Sequence, residues 1–102
     1  MSEKKGSPAF MEITREKDEE LGGLMDQLLE LINKPGALDA KTKTLIILAL
    51  DALENHGDGV EGLAARARDL GATEEEIKEV IRIVFVVSGL QSLVAGSRAY
   101  KD

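Results

Sequence analysis

The residues able to do chemistry are few, and they gather around position 56. His56 is the chain's one histidine. Thr44, Asp51 and Asn55 precede it at helical steps of seven and four, so a polar line runs along one helix toward the imidazole. An imidazole near a carboxylate could act as acid and base, or contact a small ligand. His56 and Asp51 are therefore the candidate catalytic pair. The other reading makes His56 a polar residue that ends a helix, favourably placed at the negative end of its dipole. Asp51 and Thr44 then form a solvated or intersubunit line. Ser88 and Ser92 lack the nucleophile-elbow motif that a serine hydrolase needs. There is no cysteine, which excludes thiolate nucleophiles, disulfides and thiolate metal sites. No ligands converge on the lone histidine, so no metal and no cofactor are expected. Glu74-Glu75-Glu76 reads as a helix start, and Met11 and Met25 as core fillers.

The elements that must position these groups are helical. From Phe10, apolar residues recur at Ile13, Leu21, Leu24, Met25, Leu28, Leu29 and Ile32, which predicts one amphipathic helix. Gly22-Gly23 inside it marks a bend or a close helix approach, and 16–20 reads as a solvated charged face. Asn33-Lys34-Pro35-Gly36 ends it. Asp39 is the N-cap of a second helix from Ala40 to about Asn55, whose interior Leu45–Leu50 is apolar without interruption and should be buried on most sides. His56-Gly57-Asp58-Gly59 is a break, and Asp58 with Glu61 predicts the capped start of a third helix. Gly71 stops that helix. Thr73 with Glu76 caps a fourth, running from Glu74 to about Ser88. A last segment after Gly89 carries Leu90, Leu93, Val94 and Tyr100. The fold class is all-α, with about five helices.

The 102 residues make one domain, expected over 10–102, after a disordered tail at 1–9. The formal net charge is −6 and the aromatics are only Phe10, Phe85 and Tyr100, so nucleic acid is not an expected partner. The first ten residues have no apolar core, and Leu45–Leu50 is too short to span a bilayer. A soluble cytoplasmic protein without a membrane partner is expected.

Between Leu38 and Leu90 the chain resembles the carboxymuconolactone decarboxylase and alkylhydroperoxidase D-like superfamily. The carriers are L-D-x-K-T-K-x-L-I before the apolar helix, A-x-x-L-G-A-T-x-x-E-I at Ala67 to Ile77, and V-S-G-L at Val87 to Leu90. The resemblance implies an AhpD-like helical protomer that assembles into trimers or hexameric rings. Its peroxidase branch uses C-x-x-C-x-x-x-H with a glutamate twelve residues upstream. Those positions fall on Thr44, His56, Gly59 and Leu63 here, so every functional residue is replaced. Asp58 also puts negative charge where a thiolate wants positive potential. The decarboxylase branch keeps the histidine that is Leu63 here.

Two functions follow as expectations. One is a non-catalytic oligomeric protein that binds a small organic molecule or serves in assembly. The other is a cysteine-independent lyase or isomerase acting on a small organic acid through His56 and Asp51. Either form is expected to be a homo-oligomer. Leu45–Leu50, with Ile83, Val86 and Val87, exceeds what a domain of this size can cover, and Arg82 borders that apolar end.

Overall fold

A computed structural model describes residues 9–100. The tail expected up to residue 9 otherwise lies outside the described residues, and Ala9 already begins a helix. Five α-helices and a closing 3-10 turn make up the described chain, with no strand among the described residues. The all-α reading therefore stands. The helices fall into two compact units that divide after Pro35.

The first unit is a hairpin of α1 (Ala9–Lys17) and α2 (Glu19–Asn33). The single helix read from periodicity is thus two. The break is at Asp18, whose carboxylate accepts the Leu21 N–H at 3.0 Å. A residue read as part of a charged face is an N-cap. Gly22 is buried where the helices meet, and a Cβ there would lie 2.9 Å from the Arg15 Cα. Close approach is why the first glycine is there; Gly23 faces open space. Arg15 forks onto Asp26, with Nε to Oδ2 at 3.1 Å and Nη2 to Oδ1 at 2.9 Å. Its Nη1 also donates to Glu12 at 2.7 Å. This bidentate, charge-assisted clamp ties α1 to α2.

The second unit holds α3 (Ala40–Leu53), α4 (Gly57–Asp69), α5 (Glu74–Gly96) and the turn Ser97–Tyr100. Asp39 caps α3 as read, accepting the Thr42 N–H at 2.7 Å. The capping box at α5 is complete: Thr73 Oγ1 accepts the Glu76 N–H at 3.1 Å, and Glu76 Oε1 accepts the Thr73 N–H at 2.9 Å. Gly71 ends α4 in a left-handed turn, φ 101°. The Ala72 N–H returns to the Ala67 carbonyl at 2.8 Å, and the Gly71 N–H to Arg68 at 3.0 Å, a Schellman closure. The closure stacks small Ala67 and Ala72 against Ile77, and Leu45 of α3 packs on that cluster. Leu48 is fully buried beside it.

Three expectations change. The N-cap of α4 is His56, not Asp58, which sits inside the first turn. Helix α5 runs unbroken through Gly89. One glycine costs a helix about 1 kcal/mol, and no proline follows to stop it. The apolar α3 is not buried on most sides: Ile46 and Leu50 are exposed, because α4 and α5 cover only part of its circumference. The fused segment Glu74–Tyr100, mean hydropathy 1.7 over its most apolar window, is long and apolar enough to cross a membrane by length and composition.

Thr73→Ala removes the hydroxyl half of the capping box and should cost about 1 kcal/mol in chemical denaturation at fixed protein concentration. A loss under ~0.3 kcal/mol would mean that the box does not hold the start of α5.

Acid should act through the same contacts. The Glu76 carboxyl is held below its ordinary 4.5 by the Thr73 N–H first and Lys41 second. The Thr42 N–H holds Asp39 below its ordinary 3.8, and Arg68 holds Glu74 below 4.5. These carboxyls are depressed in the folded chain. Their contribution is complete above the ordinary values and fades as pH falls through the lower folded values. Stability should be level in these groups above about pH 5 and decline below. Glu76→Gln should flatten part of that decline, measured as denaturation midpoints across the acid range.

Candidate functional site

The turn between α3 and α4 builds the candidate site. Helix α3 closes as α4 does, but with Asn55 as the left-handed residue, φ 64°. Asparagine tolerates that region better than most side chains. The Asn55 N–H bonds the Ala52 carbonyl at 3.1 Å, and the His56 N–H bonds the Asp51 carbonyl at 2.9 Å. This second Schellman closure folds position 56 back over position 51. The imidazole is thereby brought to the carboxylate, His56 Nδ1 to Asp51 Oδ1 at 3.7 Å. That separation is an ion-pair contact when His56 is protonated. It is longer than the ~2.6–3.2 Å of a direct proton transfer. The His56 side chain is 63% exposed and that of Asp51 29%.

His56 is also the first residue of the next element, since its carbonyl accepts the Val60 N–H at 2.9 Å. Its side chain makes no capping bond. His56 stands between two helix ends. It lies just past the C-terminal end of α3 and at the start of α4, so the two helix dipoles act on it in opposite senses.

Of the four positions that the resemblance assigns to the superfamily's chemistry, His56 and Gly59 are neighbours, a Cβ at Gly59 falling 3.8 Å from the His56 Cβ. Thr44 is buried, and its hydroxyl donates to the Ala40 carbonyl at 2.8 Å, so it is satisfied inside its own helix. Thr44 and Asp51 are two helical turns apart, about 10 Å along the axis. Gly59 has the Asp51 carboxylate directly over it, in the space where a Cβ would stand. Leu63 is half-buried on α4. Among the described residues, no group of His, Cys, Asp and Glu is arranged to hold a metal ion.

The sequence reading missed a cleft. Within the second unit, a cavity of ≈ 390 Å³ is lined by Leu48 of α3, Val60, Glu61, Ala64 and Arg68 of α4, and Ile77 and Ile81 of α5. Val60, Ala64 and Arg68 recur at four-residue steps, a signal present in the sequence but readable only once α4's inward face is known. Leu48 and Ile77 are buried and supply apolar lining. Arg68 is forked on Glu74, Nε to Oε2 at 2.6 Å and Nη2 to Oε1 at 3.1 Å, and that bond raises its pKa. Neither Asp51 nor His56 lines the cleft.

Comparison with known proteins fits this architecture. The model of the carboxymuconolactone decarboxylase family matches residues 19–102. An uncharacterized protein of Methanocaldococcus jannaschii is 30% identical over 81 residues, covering 78% of each chain. No solved structure matches.

The geometry around position 56 yields one test. His56 occupies an N-cap with no side-chain bond, so His56→Ser should stabilise the chain by about 0.5–1 kcal/mol in denaturant melts. Destabilisation beyond ~1 kcal/mol would show that the imidazole holds the turn.

Proposed function

The chain belongs to the carboxymuconolactone decarboxylase family, and from that premise we propose that it is a non-catalytic, cytoplasmic member. In this reading it is a homo-oligomer, trimeric or hexameric, that binds a small organic molecule. The observation that carries the reading is the separation of two features. The polar pair Asp51–His56 sits at an exposed turn, whereas the cleft over Leu48 is lined by other residues. Its ≈ 390 Å³ falls within the ~300–1,000 Å³ range of small-molecule sites. Its apolar lining with Glu61 and Arg68 suits a compact ligand bearing an apolar body and a polar group.

A second reading has one observation in its favour. His56 and Asp51 are held at 3.7 Å by the backbone closure of α3. A small rotation would join them, and the pair could then serve as acid and base of a lyase or isomerase on a small organic acid. A panel of small carboxylic acids and lactones, screened by thermal shift and for turnover, separates the two. The binding reading expects saturable shifts that Ala64→Leu abolishes by filling the cleft, that His56→Ala leaves intact, and no turnover. Turnover lost in His56→Ala establishes the second reading instead.

Thiol peroxidase chemistry is excluded by the absence of cysteine. Hydroperoxide consumption with any dithiol reductant should match a heat-inactivated control. Turnover above that control by cofactor-free protein would overturn the exclusion.

A further inference from the structure

Past Ile81, only one face of α5 is covered. Its inward face is Ile77, Val84 and Ser88, buried or half-buried. A different face, about a third of a turn away, carries Ile83, Val87, Leu90 and Val94 at steps of four, three and four. All four are exposed, from 47% at Leu90 to 68% at Val94. A shallow concavity of ≈ 580 Å³ follows this face, lined by Val87, Leu90, Gln91, Val94, Ala95 and Arg98. The pattern repeats every seven residues: Val87 with Val94, Ile83 with Leu90. Apolar residues at alternating steps of four and three form the kind of stripe that packs one helix against another.

We propose that this face is a docking seam for the α5 of a second copy of this chain, paired antiparallel with Val87 of one copy opposite Leu90 of the other. The proposal rests on the oligomeric reading above and adds the surface and its direction. Between Arg82 and Arg98, α5 has no Asp, Glu, Lys or Arg, so a charged partner finds no complement there. A copy of the same stripe does, because the seven-residue repeat is self-complementary. Direction follows from charge. Parallel pairing stacks Glu74–Glu76 on the same acids, and Arg98 on Arg98. Antiparallel pairing in the proposed register opposes the helix dipoles and brings Arg98 to the level of Glu79 on the other copy. A bilayer is the poorer occupant. Although Glu74–Tyr100 has the length of a span, its uncharged part from Ile83 to Ser97 is only about 22 Å of helix against a hydrocarbon core of about 30 Å, so a span would carry Arg82 or Arg98 into the hydrocarbon.

A chain without cysteine permits a direct test. Equimolar Val87→Cys and Leu90→Cys proteins, mixed and oxidised, should give the mixed disulfide dimer. Val94→Cys alone should cross-link poorly, since the pairing sets it opposite Ile83. Leu90→Glu should raise the concentration of half-assembly at least ~10-fold in sedimentation, a shift of about 1.4 kcal/mol, with helix content by circular dichroism unchanged. The proposal falls alone if the wild type sediments as an oligomer but the mixed disulfide does not form, or if Val94→Cys self-links as readily. A wild type that stays monomeric at tens of micromolar removes the oligomeric reading as well. Flotation of the wild type with phosphatidylcholine–phosphatidylglycerol vesicles, lost in Leu90→Glu, would assign the face to a bilayer and overturn the seam.

Discussion

The Glu76 carboxylate holds the second unit in register. One oxygen accepts the Thr73 N–H at 2.9 Å, and the other accepts Lys41 Nζ at 2.9 Å. The first contact starts α5, and the second binds that start to the first turn of α3. Both partners are part-exposed, so the Lys41 pair alone contributes little. Its value is positional. The Schellman turn at Gly71 has already placed Ala67 and Ala72 edge to edge, and the capping box fixes where Ile77 enters. Leu45 reaches that cluster only if α3 lies where Lys41 pins it. A charged contact of small energy thus sets the register of an apolar cluster whose burial is worth more, since a buried Leu or Ile gains about 1.5–3 kcal/mol.

The α3–α4 junction is likewise set by local bonds. At the α3–α4 junction the geometry is almost all backbone: the left-handed Asn55, the His56 N–H on the Asp51 carbonyl, and the His56 carbonyl on the Val60 N–H. None of these bonds depends on which side chain stands at positions 56, 59 or 63. Thr44 bonds its own helix, and Gly59 makes room for Asp51. The backbone of this junction therefore does not rely on the side chains at the positions where the resemblance places the superfamily's chemistry. Family membership here informs on the frame and not on the reaction.

What was legible in the sequence was what local bonds decide. Asp39, Thr73 with Glu76, and Gly71 each act within four residues of themselves, and each is where the pattern put it. What was not legible depended on competition. Asp18 lay in a charged run that fits a solvated face or a cap equally well; the packing of Gly22 on Arg15 decided it. Asp58 made a plausible box with Glu61, yet Asn55 closed α3 two residues early and handed the cap position to His56. Gly89 read as a break because glycine weakens a helix, but one weak residue does not stop a helix that nothing else ends. The Asp51–His56 approach depends on the left-handed turn at Asn55, which the polar line toward position 56 did not specify, and the cleft needed three helices in place before its lining could be read.

The apolar surface also carries an argument about symmetry. An antiparallel helix pair relates its two members by a twofold axis, so an α5 seam alone closes at a dimer and cannot build a trimer. Reaching a hexamer needs a second, different contact around a threefold axis. Apolar groups remain for it outside the seam: Phe85, 77% exposed, lies on another side of α5, and Ile46 and Leu50 lie on α3. These groups lie outside the proposed seam. The resemblance implied rings or trimers, and in the proposed reading these groups are where the second contact would form. A single continuous patch would have argued for a dimer and nothing larger.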